Sequence, residues 1–171
     1  MFASLGIQKR LRIKGVVATV CLLAFASLSL AATTTSNFTV QIALTASCSI
    51  NSAAALDFGS QAILSANVDQ TSTLAVQCSN TTPYNIGLDA GTGAGATVAT
   101  RKMTSGGNTV SYSLYSDSGR TTVWGNTVGT DTVAATGNGS AQSYTVYGRV
   151  AAQTTPAPGA YSDTVTVTVT Y

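Results

Sequence analysis

The chain has 171 residues, and only 8% of them are charged. It contains no histidine and no glutamate, and its eight basic residues outnumber its six aspartates by two. Half of the basic residues lie near the N-terminus, so the rest of the chain carries four basic residues against six aspartates, a net charge of −2. This balance offers no basic surface for nucleic acid, and the lack of histidine disfavours a hydrolase triad. We therefore expect neither an enzyme nor a nucleic-acid-binding protein, and no cofactor.

The N-terminal stretch has the features of a secretory signal peptide. It begins with a basic region formed by Lys9, Arg10, Arg12 and Lys14. An apolar run over 16–30 follows, and Ser29-Leu30-Ala31 provides small residues at the cleavage spacing. The run is short for a membrane-spanning helix, although an uncleaved anchor is the alternative. We predict that residues 1–31 are a signal peptide and that one exported domain of about 140 residues follows.

The segment 32–47 alternates between apolar and polar residues. Its apolar positions are Phe38, Val40, Ile42 and Leu44. A period of two predicts a strand with one apolar face. Two interpretations stay open: the strand belongs to its own domain, or it leaves that domain and fills a gap beside the last strand of a neighbour.

Cys48 and Cys78 are the two cysteines that lie beyond the predicted signal peptide. An even pair in an exported chain predicts a disulfide. Closing a loop of about 30 residues stabilises a domain by roughly 3.5 kcal/mol in the chain-entropy account. We expect no catalytic or metal-binding role for either cysteine, because the chain has no histidine and no second cysteine pair.

The chain beyond Cys48 reads as short strands separated by turns. Apolar residues alternate around Leu74, Tyr84, Val110 and Tyr144, and glycine-rich turns lie between these stretches. No stretch after residue 32 keeps a period of 3.6 residues. About seven strands at this spacing predict an all-β fold, a β-sandwich with Ig-like topology, over 48–171.

The most regular stretch is the last one, Tyr161–Tyr171. Its predicted inward face consists of Val165, Val167, Val169 and Tyr171. Threonines alternate with them, and Pro158-Gly159 predicts a turn before the strand. No residue of the given sequence follows Tyr171, and no charge follows Asp163 to protect an exposed edge. We expect this to be an edge strand that another chain covers.

For three residues that could have a functional role, we expect a structural role instead. Asp117 precedes a glycine in a turn sequence, which favours a turn former over a metal ligand. Trp124 is expected in the core, since tryptophan is usually well buried. Arg149 lies in the middle of a predicted strand and is expected to pair with an aspartate on the sheet surface. We predict no metal site.

A series of short motifs follows one another along the chain at characteristic spacings. They are Cys48-Ser-Ile, Leu56-Asp-Phe-Gly, Cys78-Ser, Pro83-Tyr84, Arg101-Lys-Met, Tyr112-Ser-Leu-Tyr-Ser-Asp117, Trp124-Gly125, Val146-Tyr-Gly-Arg149-Val and Pro158-Gly-Ala-Tyr-Ser-Asp163-Thr-Val. By the order and spacing of these motifs, the chain resembles the spore coat protein U family, which includes subunits of Csu-type archaic chaperone–usher pili. The resemblance extends from about Phe38 to the C-terminus.

The resemblance implies a structural subunit of a surface pilus, with an Ig-like sandwich that lacks its seventh strand and is completed by a donated one. A periplasmic chaperone would lend a strand first, and an outer-membrane usher would be a further partner. The N-terminal segment of the next subunit, here 32–47, would then replace the strand of the chaperone. Such a chain would pass through the periplasm and reach the cell surface. A self-contained coat protein and a surface-binding adhesin or lectin module are the alternatives.

Overall fold

The computed structural model describes residues 31–171, so nearly all of the predicted signal peptide lies outside the described residues. The chain divides into two units, Met1–Gln41 and Ile42–Tyr171. The described part of the first unit, 31–41, has no regular secondary structure and is exposed. Within the described residues, no helix is long and apolar enough to cross a membrane.

The second unit is a sandwich of two antiparallel sheets. Its strands are β1 (Cys48–Ala53), β2 (Val68–Cys78), β3 (Pro83–Leu88), β4 (Arg101–Ser105), β5 (Asn108–Tyr115), β6 (Val133–Thr136), β7 (Ala141–Val150) and β8 (Val167–Thr170). One sheet has the order β1-β2-β7-β5-β4, and the other has the order β6-β3-β8. The predicted all-β sandwich is confirmed.

The core lies between the inner faces of these sheets, because alternate side chains of each strand point inward. From the larger sheet, Leu74 and Val76 of β2 are almost fully buried, and from the smaller sheet Ile86 of β3 is too. Burying each such side chain contributes roughly 1.5–3 kcal/mol. Trp124 also lies in this core, as predicted, and its indole N–H donates to the Ile86 carbonyl at 2.8 Å.

A disulfide joins Cys48 to Cys78, as the sequence predicts. The two residues lie directly opposite each other in the β1–β2 ladder. The bridge therefore ties the first residue of β1 to the last residue of β2, at one end of the sandwich.

The last strand is shorter than predicted. Only Val167–Thr170 forms a strand, so Val165 and Tyr171 lie outside it. The preceding residues belong to the other sheet, because Ser162 forms a bridge with Thr104 of β4. The chain crosses from one sheet to the other between Ser162 and Val167, and a crossing segment cannot keep one continuous ladder.

Arg101 is completely buried in the core. Its guanidinium donates to four carbonyl oxygens, those of Leu88, Asp89, Val98 and Trp124, at 2.7–2.9 Å. Burial lowers the pKa of Arg101, since the interior disfavours the charged form. The side chain ties together the end of β3, the loop before β4 and the segment after β5.

Candidate functional site

The sandwich is open along one side, where each sheet ends in an edge strand. β1 pairs only with β2, and β8 pairs only with β3. The two edge strands approach each other but form no ladder. Each therefore has one side that is not paired in the described chain.

A mainly apolar groove runs into the core from this open side. It has a volume of about 420 Å³ and is lined by Leu56, Leu74, Val165 and Val167 among others. A second pocket of about 660 Å³, with as much polar as apolar surface, lies beside the loop that contains Pro156 and Pro158. Leu56, Phe58, Met103 and Tyr161 line both pockets, so the second adjoins the first. We call the first pocket the open groove.

Inward-facing side chains of the two edge strands, β1 and β8, are incompletely covered. Ile50 of β1 lies opposite Val76, yet Ile50 is 41% exposed whereas Val76 is 0% exposed. Val167 and Val169 of β8 lie opposite the buried Leu88 and Ile86, yet both remain only half-buried. The missing cover lies on the open side, since their partners within the sheets are in place.

The residues predicted to accept a strand from another chain, those on the inward face of the last strand, separate into two groups. Val165, Val167 and Val169 pack against the core, and the first two line the open groove. Tyr171 does not, since it is 61% exposed and lies beyond the end of β8. The structure thus places two of the four predicted residues at the groove and a third, Val169, against the core.

The floor of the groove depends on a glycine in β7. A Cβ added at Gly148 would lie 2.7 Å from a methyl of Leu56 and 3.0 Å from the ring of Phe58. The absence of a side chain lets both residues pack directly on β7. Phe58 then contacts Tyr112 edge to face, with ring centres 6.2 Å apart.

Two aspartates hold the crossing segment that forms one wall of the groove. The Asp163 carboxylate accepts hydrogen bonds from Thr92 N (2.8 Å), Thr92 Oγ1 (2.9 Å), Tyr112 Oη (2.7 Å) and Thr164 N (2.8 Å). Asp89 Oδ1 accepts from Thr166 N at 2.9 Å. The side chain of Asp163 fits only because Gly91 has no Cβ, and the φ of +78° at Gly91 also favours glycine.

These contacts make the wall sensitive to acid. Burial alone raises the pKa of Asp163, but hydrogen bonds from Thr92 and Tyr112 outweigh it and hold the pKa below 3.8. A carboxyl group whose pKa is lower in the folded state stabilises the fold above the unfolded pKa and loses this contribution as the pH falls through the folded pKa. We expect Asp163→Asn to unfold more easily than the wild type at pH 6. The difference should shrink below pH 3.8.

Urea denaturation of both proteins between pH 2 and pH 6 measures this effect. Asp69, Asp89 and Asp117 also have lowered pKa values, so the variant should keep part of the acid dependence. A constant difference between the two proteins across the whole pH range would contradict the assignment to Asp163.

The segment that the sequence suggests as a donor is exposed. Phe38, Val40, Ile42 and Leu44 are 81–87% exposed, and 31–47 has no regular secondary structure. The predicted strand is therefore not formed in the described chain. Whether these residues enter a groove stays a prediction.

Other sequence predictions concern the surface. Arg149 forms a bidentate ion pair with Asp69, with two N–O distances of 2.7 Å, as predicted for a surface pair. Asp117 accepts hydrogen bonds from the backbone of Thr121 and Thr122, which confirms the turn former. Among residues 31–171, no cluster of three or more candidate ligands is arranged to hold a metal ion.

Sequence reasoning missed the roles of Arg101, Asp89 and Asp163. The alternation within β4 could have indicated that Arg101 is buried. Arg101 and Met103 share the inward face of the strand, opposite Tyr112 and Val110. The two aspartates carry no comparable signal, since their partners lie far away along the chain.

Comparisons with known proteins agree with this architecture. A family model described as the Spore Coat Protein U domain matches residues 34–168. The chain is 34% identical to "Protein U" of Myxococcus xanthus over 174 aligned residues, covering 93% of this chain and 96% of that protein.

Among solved structures, the chain is similar to one in the CsuC–CsuE chaperone–tip adhesion subunit pre-assembly complex from archaic chaperone–usher Csu pili of Acinetobacter baumannii. The identity is 27% and the TM-score is 0.55. The match covers 75% of this chain but only 40% of that one. With the family model matching most of its length, the chain belongs to the Spore Coat Protein U domain family.

Proposed function

We propose that this chain is a structural subunit of a chaperone–usher pilus and that it polymerises by donor-strand exchange. One observation carries the proposal: the same chain has an open apolar groove and an exposed segment with four alternating apolar side chains. Membership of the family and the likeness to a protein of a pilus pre-assembly complex support it.

The groove and the segment complement each other physically. An incoming strand finds unpaired backbone groups on β1 and β8, and strand addition at such an edge supplies hydrogen bonds. Phe38, Val40, Ile42 and Leu44 of another copy would face the core. At 1.5–3 kcal/mol each, the four side chains contribute roughly 6–12 kcal/mol before the costs of ordering.

The topology predicts the direction of the inserted strand. Gly137 donates to Thr82, just before β3, and packs on Cys78 at the end of β2, so β2 ends where β3 begins. β1 begins at this same end, opposite Cys78, and β8 ends there too, because Thr170 lies opposite Asn85 near the start of β3. In a straight filament, the neighbour that donates its strand lies at the opposite end. The donated strand then runs antiparallel to β8, with Leu44 near Val165 and Phe38 near Tyr171.

The proposal extends to export and assembly partners. The open groove is an aggregation hazard while it is empty, so a periplasmic chaperone lends a strand in transit. An outer-membrane usher then exchanges that strand for the N-terminal segment of a neighbouring subunit. Head-to-tail insertion does not close on itself and therefore builds a filament on the cell surface.

A peptide test examines the groove directly. We expect a synthetic peptide spanning Thr35–Thr45 to raise the melting temperature of the exported protein, because a ligand that binds only the folded state stabilises it. At a peptide concentration one hundred times the dissociation constant, the gain is about 2.7 kcal/mol. Differential scanning fluorimetry over a peptide titration measures it.

A matched peptide with aspartate at Val40 and Ile42 serves as the control and should have no effect. A stable monomer whose melting temperature ignores both peptides would favour a self-contained coat protein, the other function that is consistent with the description of the family model. Equal stabilisation by both peptides would show that the apolar face is not what binds.

A further inference from the structure

The chain enters the sandwich from its N-terminal segment at one small site. Cys48 is joined to Cys78 by the disulfide. One residue earlier, Ser47 N donates to Ser79 Oγ at 3.1 Å, and Ser79 N donates to Ser47 O at 2.8 Å. We call these four residues the root clamp.

Beyond the clamp, β1 is weakly held. Every residue from Ser49 to Ala53 is exposed, including Ile50, the only large apolar side chain among them. A bulge between Ile50 and Ser52 interrupts the pairing with β2. Little buried apolar surface opposes the separation of β1 from β2, so the covalent bond at the start of β1 is its strongest attachment.

The strand on the other side of the clamp is the best-anchored one in the larger sheet. β2 pairs with β7 without interruption from Val68–Val150 to Gln77–Ala141. Its inward side chains, among them Leu74 and Val76, are 2% and 0% exposed. A force that reaches Cys78 is therefore distributed over a long ladder and the buried core.

We propose that the root clamp is the load-transfer site of the subunit, passing tension from the N-terminal segment directly into β2 and bypassing β1. This inference rests on the proposed function, because a filament held by donated strands pulls each subunit through its own N-terminal segment. Force then enters at Ser47, where it first meets the hydrogen bonds with Ser79, and the covalent pair Cys48–Cys78 follows one residue later. Without the bond, β1 and the chain up to Val68, an extended length of up to about 70 Å, would bear the load before β2 does.

Single-molecule pulling in two directions tests the clamp on the exported chain. In the first geometry the handles are attached at Thr34 and Asn108, so force passes through the clamp. In the second they are attached at Asn138, in the exposed turn before β7, and at Asn108, the exposed first residue of β5, so force bypasses β1. The variant combines Cys48→Ser with Cys78→Ser, and the wild type is pulled in both geometries.

We expect the variant to lose much more of its rupture force in the first geometry than in the second, with an early lengthening step in the first geometry alone. Losing the disulfide lowers the stability of the whole domain, so a merely structural role predicts equal losses of rupture force in the two geometries. Equal losses, or no loss in the first geometry, would overturn the proposal. As a matched variant, Ser79→Ala removes the side-chain hydrogen bonds of Ser79 with Ser47 and Thr45 but keeps the disulfide, and it should retain most of the rupture force.

The outcome is separable from that of the proposed function, because pulling a single chain requires no filament. Binding of the Thr35–Thr45 peptide without a directional loss of force would contradict the clamp and leave the donor strand supported. A directional loss without peptide binding would support the clamp as a mechanical site and contradict donor-strand exchange.

Discussion

Ile42→Asp is expected to abolish polymerisation without unfolding the subunit. Ile42 lies in the middle of the apolar face of the N-terminal segment and is 85% exposed in the subunit itself. Its replacement should change the stability of the isolated domain by no more than about 0.5 kcal/mol, as for other surface substitutions. In a neighbour's groove, the same change buries a carboxyl group without a partner, which costs several kcal/mol even when the group becomes protonated.

Three measurements distinguish a subunit that cannot donate its strand from one that cannot receive a strand. Circular dichroism should show that the variant is folded, and co-purification should show that the chaperone still binds the intact groove of the variant. Electron microscopy should show no filaments. Gln41→Asp places the same charge on the polar face and should polymerise nearly normally. A variant as unfolded as the core change Val167→Asp would instead show that the segment belongs to its own domain.

Arg101→Met is expected to destabilise the domain by about 3–5 kcal/mol, the range for removing one partner from a buried charged network. The guanidinium is the common donor to four carbonyl oxygens in three separate segments, and methionine can replace its volume but none of its hydrogen bonds. Since small domains unfold with a free energy of about 5–15 kcal/mol, the loss threatens folding itself. Urea denaturation measures it, and the yield of exported protein should fall in parallel.

The neighbouring lysine provides the control for this prediction. Lys102 is only partly buried, and its ammonium group donates one hydrogen bond, to the Ala94 carbonyl at 3.2 Å. Lys102→Met should therefore shift the unfolding free energy by no more than about 0.5 kcal/mol. If both variants unfold at the same urea concentration, the hydrogen bonds of Arg101 do not hold the loops as the structure indicates.

The isolated subunit leaves part of its apolar core exposed on the open side of the sandwich. Ile50, Val167 and Val169 point inward but remain incompletely covered, so the isolated subunit is a sandwich with part of its core in water. A donated strand would cover this surface and pair with both edges. We therefore expect the filament to be considerably more stable than the single subunit.

The sequence alone determined those features that depend on local pattern. Alternation of period two revealed the strands and the all-β class, because the pleat sends successive side chains to opposite faces. The cysteine pair predicted the bridge between Cys48 and Cys78, since no other cysteine follows the predicted signal peptide. The apolar alternation around Ile42 was equally visible, although the sequence left open whether that segment joins its own domain, and the surface position of Arg149 was predicted too.

Only the tertiary structure decided how the last stretch divides. The Thr-Val repeats begin at Thr164, but the chain changes sheets there, because Ser162 pairs with β4 while Val167 begins the ladder with β3. The burial of Arg101 and the contacts of Asp163 with Thr92 and Tyr112 also join residues that are distant along the chain. Periodicity records which face a residue occupies, but the element that covers that face is decided by packing between segments that local sequence does not relate.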